Sequence, residues 1–175
     1  SNGYIIPEPA REIYQFVDAA NIDLKSFSPK FYKQRTKGEL KYVLDTLSLL
    51  KTMNIHLEIT TLIIDGYNND PVQLTEEFTW IVRNLGATTP LHLSAYHPDY
   101  KFSGADRTSD VSLKNARKIA HDAGLHYIYL GNTANADNTT YCPDCHFPQV
   151  ERDGYRVKIN INRNCRCGRP ADLFL

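Results

Sequence analysis

The sequence predicts an α/β fold, the C-terminal half of a partial (β/α) barrel with parallel strands, followed by a small zinc-ribbon-like β hairpin module. Three observations predict it. Short apolar, β-branched segments begin near residues 17, 55, 91 and 126, about 36 residues apart. Amphipathic stretches lie between them, and right-handed β–α–β crossovers make such a chain a parallel sheet. All four cysteines fall between Cys142 and Cys167, so a separate unit follows the sheet. No Gly-rich phosphate loop follows any strand, which favours half a barrel over one wing of a doubly wound sheet. The expected domains are 1–139 and 140–175.

The elements follow in order. Residues 7–16 read as a short helix, with Pro7 and Pro9 in the first turn, where a missing N–H is harmless. Residues 17–24 read as a strand ending at Lys25. A helix over 39–53 places Leu40, Val43, Leu44, Leu47 and Leu50 on one face. The segment 55–64 is a strand rich in β-branched residues, and Asp65-Gly66 and Asn68-Asn69 mark the loop after it. Asp70-Pro71 supplies an N-cap with proline at the first helical position, and Leu74, Phe78, Ile81, Val82 and Leu85 form that helix's buried stripe up to Gly86. A strand begins at Leu91 and runs into Tyr96-His97-Pro98-Asp99-Tyr100. A helix over 109–123 carries Leu113, Ala116, Ile119 and Ala120, and 126–130 is the next strand, closed by Gly131-Asn132.

Composition narrows the function. Twenty basic against twenty acidic residues give no electrostatic argument for nucleic acid or membrane as main partner. No apolar run approaches the roughly 18 residues of a membrane span. Clustered cysteines in one tail point to metal and a reducing compartment rather than a disulfide scaffold, so the expected location is cytoplasmic. Met53 is the single methionine, and Ser1-Asn2-Gly3 reads as the middle of a turn, so an internal or truncated segment is expected.

Ligands in parallel sheets are held by the loops after the C-terminal strand ends. There, Asp23 and Lys25 share a face one pleat step apart. Glu58 and Thr60 share a face of the second strand. A carboxylate in so apolar a segment needs a partner, and Lys25 is a candidate. His97 ends the third strand, and Tyr96, Tyr100 and Phe102 could wall a pocket beside it. No Ser/His/Asp grouping or glycosidase-like carboxylate pair is legible.

In the tail, Cys142-Pro143-Asp144-Cys145-His146 and Cys165-Arg166-Cys167-Gly168 form two knuckle-like pairs separated by 19 residues. The stretch 149–159 between them reads as a hairpin turning at Asp153-Gly154. Two knuckles joined by a hairpin make a zinc ribbon, with Cys142, Cys145, Cys165 and Cys167 as Zn2+ ligands. An auxiliary iron–sulfur cluster is the alternative. His126 and His146 are reserve ligands.

The sequence also resembles a known family. Ser1-Asn2-Gly3-Tyr4 is similar to the Thr-Asn-Gly turn of radical S-adenosylmethionine (radical SAM) enzymes of the glycyl-radical-activase type. Asn21-Ile22-Asp23-Leu24-Lys25 resembles their Asp-Leu-Lys strand end, and Ser94-Ala95-Tyr96-His97 the strand end bearing their cofactor-binding histidine. Glu58-Ile59-Thr60-Thr61-Leu62-Ile63, His97-Pro98-Asp99-Tyr100-Lys101 and Tyr129-Leu130-Gly131-Asn132, followed by Tyr141-Cys142-Pro143, resemble the radical enzyme of the AmmeMemoRadiSam system.

The resemblance implies an oxidoreductase, similar to pyruvate formate-lyase activating enzyme, that uses a 4Fe-4S cluster and S-adenosylmethionine to make a 5′-deoxyadenosyl radical for hydrogen abstraction. It implies that Asp23 and Ser1 hold a monovalent cation, that Lys25 contacts the cofactor's carboxylate and that His97 contacts its ribose. Thr60 stands where some activases carry an arginine, and Asp65-Gly66 where they have Pro-Gly. The cluster motif Cys-x3-Cys-x2-Cys is absent and is expected upstream of Ser1, so this fragment alone should be inactive. Implied partners are a flavodoxin or ferredoxin as electron donor, AMMECR1-domain and Memo-like proteins, and a substrate that is either a protein glycyl site or a small molecule. Two rival readings stay open: a (β/α)-barrel lyase or isomerase using Glu58, Lys25 and His97 for acid–base work, and a non-catalytic zinc-ribbon binding module.

Overall fold

The computed structural model describes every residue except 101, 103, 135, 155 and 173–175. Lys101 and Tyr155, which belong to stretches quoted above, lie outside the described residues. The chain divides into two compact units, Ser1–Ala134 and Asn135–Leu175.

The first unit is a four-stranded parallel sheet in the order β1-β2-β3-β4, with β1 at Ala19–Asp23, β2 at His56–Ile63, β3 at Leu91–Ala95 and β4 at Ile128–Gly131. The helices are α1 (Pro7–Tyr14), α2 (Pro29–Phe31) running into a π-helical turn (Tyr32–Thr36), α3 (Leu40–Thr52), α4 (Pro71–Leu85) and α5 (Asp110–Asp122). The N-caps form as the residue types dictate. Asp70 accepts from the Val72 and Gln73 amides at 3.1 and 3.0 Å, and Ser109 accepts from the Ser112 amide at 3.1 Å. The stretch between β1 and α3 carries no amphipathic signal. Its short helix and π turn end at Lys37, which takes a left-handed conformation (φ 59°).

Burial alternates strictly along β2, β3 and β4. One face of the sheet, carrying Ile22, Ile59, Ile63, Leu91 and Leu93, is fully buried. It packs beneath the helices, against residues such as Leu47, Leu50, Phe78, Ile81 and Leu113. The other face is polar and half-exposed. A fully enclosed parallel sheet reads as continuous apolar runs, so this alternation marks a face that the described helices leave uncovered.

The second unit is an antiparallel sheet of β5 (Thr140–Tyr141), β6 (Pro148–Asp153) and β7 (Arg156–Ile159), with one cysteine pair in the turn between β5 and β6 and the other after β7. No described helix is long and apolar enough to cross a membrane.

Candidate functional site

The uncovered sheet face is built from every second residue of each strand. Parallel register aligns Asp23 with Thr60, Thr60 with His92, and His92 with Tyr129. These four side chains therefore form one row across the sheet. One pleat step below, Asn21 aligns with Glu58.

Asp23 and Lys25 pair at 2.8 Å, both about two-fifths exposed. The Thr60 hydroxyl donates to Asn21 Oδ1 at 2.8 Å, which joins β1 to β2 on this face. Ser1 lies along the free edge of β1: its nitrogen donates to the Asn21 carbonyl at 2.9 Å and its carbonyl accepts from the Asp23 amide at 2.8 Å. Gly3 turns the chain away at φ 65°, where a Cβ would meet Ile22 Cγ2 at 2.7 Å. Ser1, Asp23, Lys25 and Thr60 are thus neighbours at the ends of β1 and β2. His97 sits in the loop after β3, exposed, and makes no hydrogen bond or ion pair among the described residues.

The expected Glu58–Lys25 contact does not form. Glu58 Oε2 meets His92 Nε2 at 2.8 Å and its Oε1 meets His56 Nε2 at 3.4 Å. The hydrogen bond from His92 brings the Glu58 carboxyl down to about 2. Register is the reason. Glu58 lies level with Asn21, so Lys25 is four residues farther along β1, roughly 13 Å away at strand rise. The Glu58, Lys25 and His97 acid–base cluster is therefore not assembled.

The pocket wall also differs from expectation. Tyr96 and Phe102 pack edge to face at 5.4 Å, but the third ring is Tyr67, from the loop after β2, at 5.5 Å from Phe102. Tyr100 is 86% exposed. The Arg35 guanidinium of the π turn stacks on Tyr67 at 4.5 Å and lies 5.7 Å from the Phe102 ring.

Two buried side chains support the site, and neither shows a signal in the sequence. The Asn68 carboxamide donates to the Lys25 and Leu62 carbonyls, both at 2.8 Å, and accepts from the Ile64 amide at 2.7 Å. It uses every group it has to bind the end of β1 to the end of β2. Glu77 of α4 is buried on the helix side and accepts from the Thr61 hydroxyl at 2.7 Å, while burial raises its carboxyl to about 8. Behind Lys25, the Tyr32 hydroxyl accepts from the Lys25 amide at 3.1 Å. Burial pushes that phenol up to about 12.

In the second unit, the Sγ atoms of Cys142, Cys145, Cys165 and Cys167 lie within 4.8 Å of one another. Cys142 and Cys167 are 3.7 Å apart, Cys145 and Cys165 3.5 Å. Four thiolates placed tetrahedrally at about 2.3 Å from a metal are about 3.8 Å apart, so the donor set fits a tetrahedral ion. The knuckles shape themselves. The His146 amide donates to the Cys142 carbonyl at 2.9 Å with His146 at φ 54°, and the Gly168 amide donates to the Cys165 carbonyl at 2.9 Å with Gly168 at φ 90°. The Cys167 amide helps bring the Cys165 thiol down to about 7. The one-residue spacing of the second pair closes the site without His126 or His146, neither of which is in the cluster.

No protein-family model matches this chain. It is 38% identical over 181 aligned positions to the uncharacterized protein MJ0808 of Methanocaldococcus jannaschii, a match covering 100% of the chain and 54% of that protein. The chain thus spans about half the length of that curated relative. Among solved structures, a domain of pyruvate-formate lyase-activating enzyme from Bacteroides vulgatus has a TM-score of 0.64 at 17% identity, covering 73% of this chain and 75% of that one. A radical SAM methyltransferase from Sphaerobacter thermophilus has a TM-score of 0.56 at 13% identity, covering 70% of this chain and 35% of that one. The first unit shares the fold of these proteins, a parallel α/β half-barrel.

Proposed function

We propose that this chain is the C-terminal part of a radical S-adenosylmethionine enzyme of the AmmeMemoRadiSam kind, acting as an oxidoreductase similar to glycyl-radical activases. The observation that carries this reading is the row Asp23–Thr60–His92–Tyr129 on an uncovered face, in a fold similar to those of a pyruvate-formate lyase-activating enzyme domain and a radical SAM methyltransferase.

The residues present suit the cofactor. S-adenosylmethionine ends in an α-carboxylate, and the Lys25 ammonium, held beside Asp23, offers it a group of opposite charge. The imidazole of His97 offers a polar contact to ribose hydroxyls, the Thr60 hydroxyl lies level with Asp23 on the cofactor face, and Asp23 and Ser1 together offer oxygens to a monovalent cation. A bound 4Fe-4S cluster would supply reductive cleavage of S-adenosylmethionine, the source of a 5′-deoxyadenosyl radical for hydrogen abstraction. This chain's part is to hold and orient the cofactor: Asn68 fixes the Lys25 backbone, and Glu58 fixes His92 in the same row.

In this reading the tail holds structural Zn2+ and the four free thiols belong to the cytoplasm. A flavodoxin or ferredoxin is the electron donor, and AMMECR1-domain and Memo-like proteins are partners.

The test uses the full-length protein, produced anaerobically, reconstituted with iron and sulfide and reduced with dithionite. Formation of 5′-deoxyadenosine from S-adenosylmethionine, reduced at least ten-fold by Asp23→Asn or Lys25→Ala, is the expected result. A reconstituted cluster that binds no S-adenosylmethionine and yields no 5′-deoxyadenosine overturns the proposal.

A further inference from the structure

The π turn between β1 and α3 brings a guanidinium to the C-terminal mouth of the sheet and leaves it unused. The Arg35 guanidinium carbon lies over the Tyr67 ring, 4.5 Å from its centroid, and 5.7 Å from that of Phe102. Those rings come from the loops after β2 and β3. They are held in turn by Tyr67 donating to the Gly104 carbonyl at 3.0 Å and by Tyr96 donating to the Phe102 carbonyl. The cation–π contact holds the guanidinium in place without using its N–H groups as donors to an acceptor. Among the described residues none of its donors meets an acceptor. An exposed arginine with no other role would sweep through solvent. This one is held at the mouth with its five-donor fork open.

The segment that carries it is basic, although Lys33, Lys37 and Lys41 line a groove with Leu44, Ser48, Trp80 and Asn84 of α3 and α4. Residues 29–41 carry Lys30, Lys33, Arg35, Lys37 and Lys41 against Glu39 alone, a net +4 in a chain whose total is zero. Lys41 is spent on Asp45, but Lys30, Lys33 and Lys37 have no ion-pair partner among the described residues. Asp65, Asp99 and Asp106 stand in the same strand-end loops, so it is the open planar fork of Arg35, matching the two oxygens of a carboxylate or phosphate, that selects an anion here.

We propose that Arg35 is the residue that reads an anionic group on the substrate, a carboxylate or a phosphate, at the mouth of the half-barrel. This rests on the function proposed above and names the substrate's chemical class. Tyr67 is the positioning residue that holds the guanidinium at the mouth. The Asp23–Lys25 pair stays with the cofactor.

The experiment measures thermal stabilisation of the full-length reconstituted protein by inorganic phosphate and by acetate, for the wild type, Arg35→Gln and, as control, Arg83→Gln on α4. S-adenosylmethionine affinity is measured in parallel. The expected result is a saturable stabilisation by one or both anions that Arg35→Gln weakens at least ten-fold in apparent Kd and Arg83→Gln leaves alone. S-adenosylmethionine affinity should stay within two-fold of wild type in both variants. Preference for phosphate over acetate assigns a phosphorylated substrate, and equal response or the reverse a carboxylate. Tyr67→Leu should weaken the response without abolishing it. An equal response in wild type and Arg35→Gln, or none in either, means an adventitious ion only and overturns the proposal. A ten-fold loss of S-adenosylmethionine binding in Arg35→Gln assigns the guanidinium to the cofactor and also overturns it. Failure of the wild type to bind S-adenosylmethionine sinks the proposed function instead, whatever the anions do.

Discussion

Glu58 and His92 meet diagonally across neighbouring strands, Oε2 to Nε2 at 2.8 Å, with the His92 ring tilted over Tyr129 at 5.3 Å. The carboxylate is the hub of the lower half of the uncovered face, since His56 approaches its other oxygen. This pairing, rather than one with Lys25, leaves Lys25 free to pair with Asp23 at the strand end.

The Glu58 contact has a pH signature. Its carboxyl is brought from 4.5 to about 2 by the His92 hydrogen bond, so the contribution is fully present above the unfolded value and is lost as pH falls from about 4.5 through about 2. The group is about a third exposed, so solvent screening trims the effect to about 1–2 kcal/mol. Urea denaturation of wild type and Glu58→Gln should differ by that amount at pH 7 and converge near pH 2. A constant difference across that range would contradict the assignment.

Glu77 behaves in the opposite sense. Burial lifts its carboxyl from 4.5 to about 8, so the folded state holds a proton that the unfolded chain releases. Stability should therefore fall as pH rises from about 4.5 to about 8 and level off above. Glu77→Gln keeps an acceptor for the Thr61 hydroxyl and needs no proton, so at pH 8 it should be more stable than wild type by on the order of 2 kcal/mol. At pH 4 the two should be equal. Denaturation curves at the two pH values check this.

Asn68→Ala removes a side chain that satisfies three backbone groups at the junction of β1 and β2. Leaving buried donors and acceptors unpaired costs about 1–3 kcal/mol each before relaxation and water entry, so a net loss of about 2–4 kcal/mol is expected. Because the Lys25 carbonyl loses its anchor, S-adenosylmethionine affinity of the full-length protein should fall as well. Equilibrium denaturation and calorimetric titration measure the two effects separately.

The four-cysteine cluster should take one metal ion per chain into the second unit, independently of any iron–sulfur cluster elsewhere. Metal analysis of the full-length protein should show about one zinc, lost in Cys142→Ser and in Cys165→Ser, and replacement by cobalt should give thiolate charge-transfer bands. Loss of metal should expose 140–172 to proteolysis while leaving the first unit resistant, since site and folding are coupled. Iron in place of zinc would assign the tail to an auxiliary cluster.

The sequence by itself determined the four strands, the helices between them and the cysteine pairs. Those features rest on local physics. β-branched residues mark β2, alternation and the bounding Pro90 mark β3, helical spacing marks α4 and α5 with the Asp70 cap at the start of α4, and tight knuckles bring thiolates together within a few residues. Element ends shifted by one or two residues, as at Val17, which lies outside β1.

Only the tertiary structure decided which strand-end groups meet. Strand register, set by long-range pairing, put Glu58 level with Asn21 and gave it His92. The π turn, with no periodic pattern to announce it, carried Arg35 onto Tyr67, 32 positions away in sequence. Asn68 and Glu77 read as an ordinary loop residue and an ordinary helix residue until packing buried them. Contacts between distant segments depend on how strands pair and helices pack, which local composition does not encode, and this site is made almost entirely of such contacts.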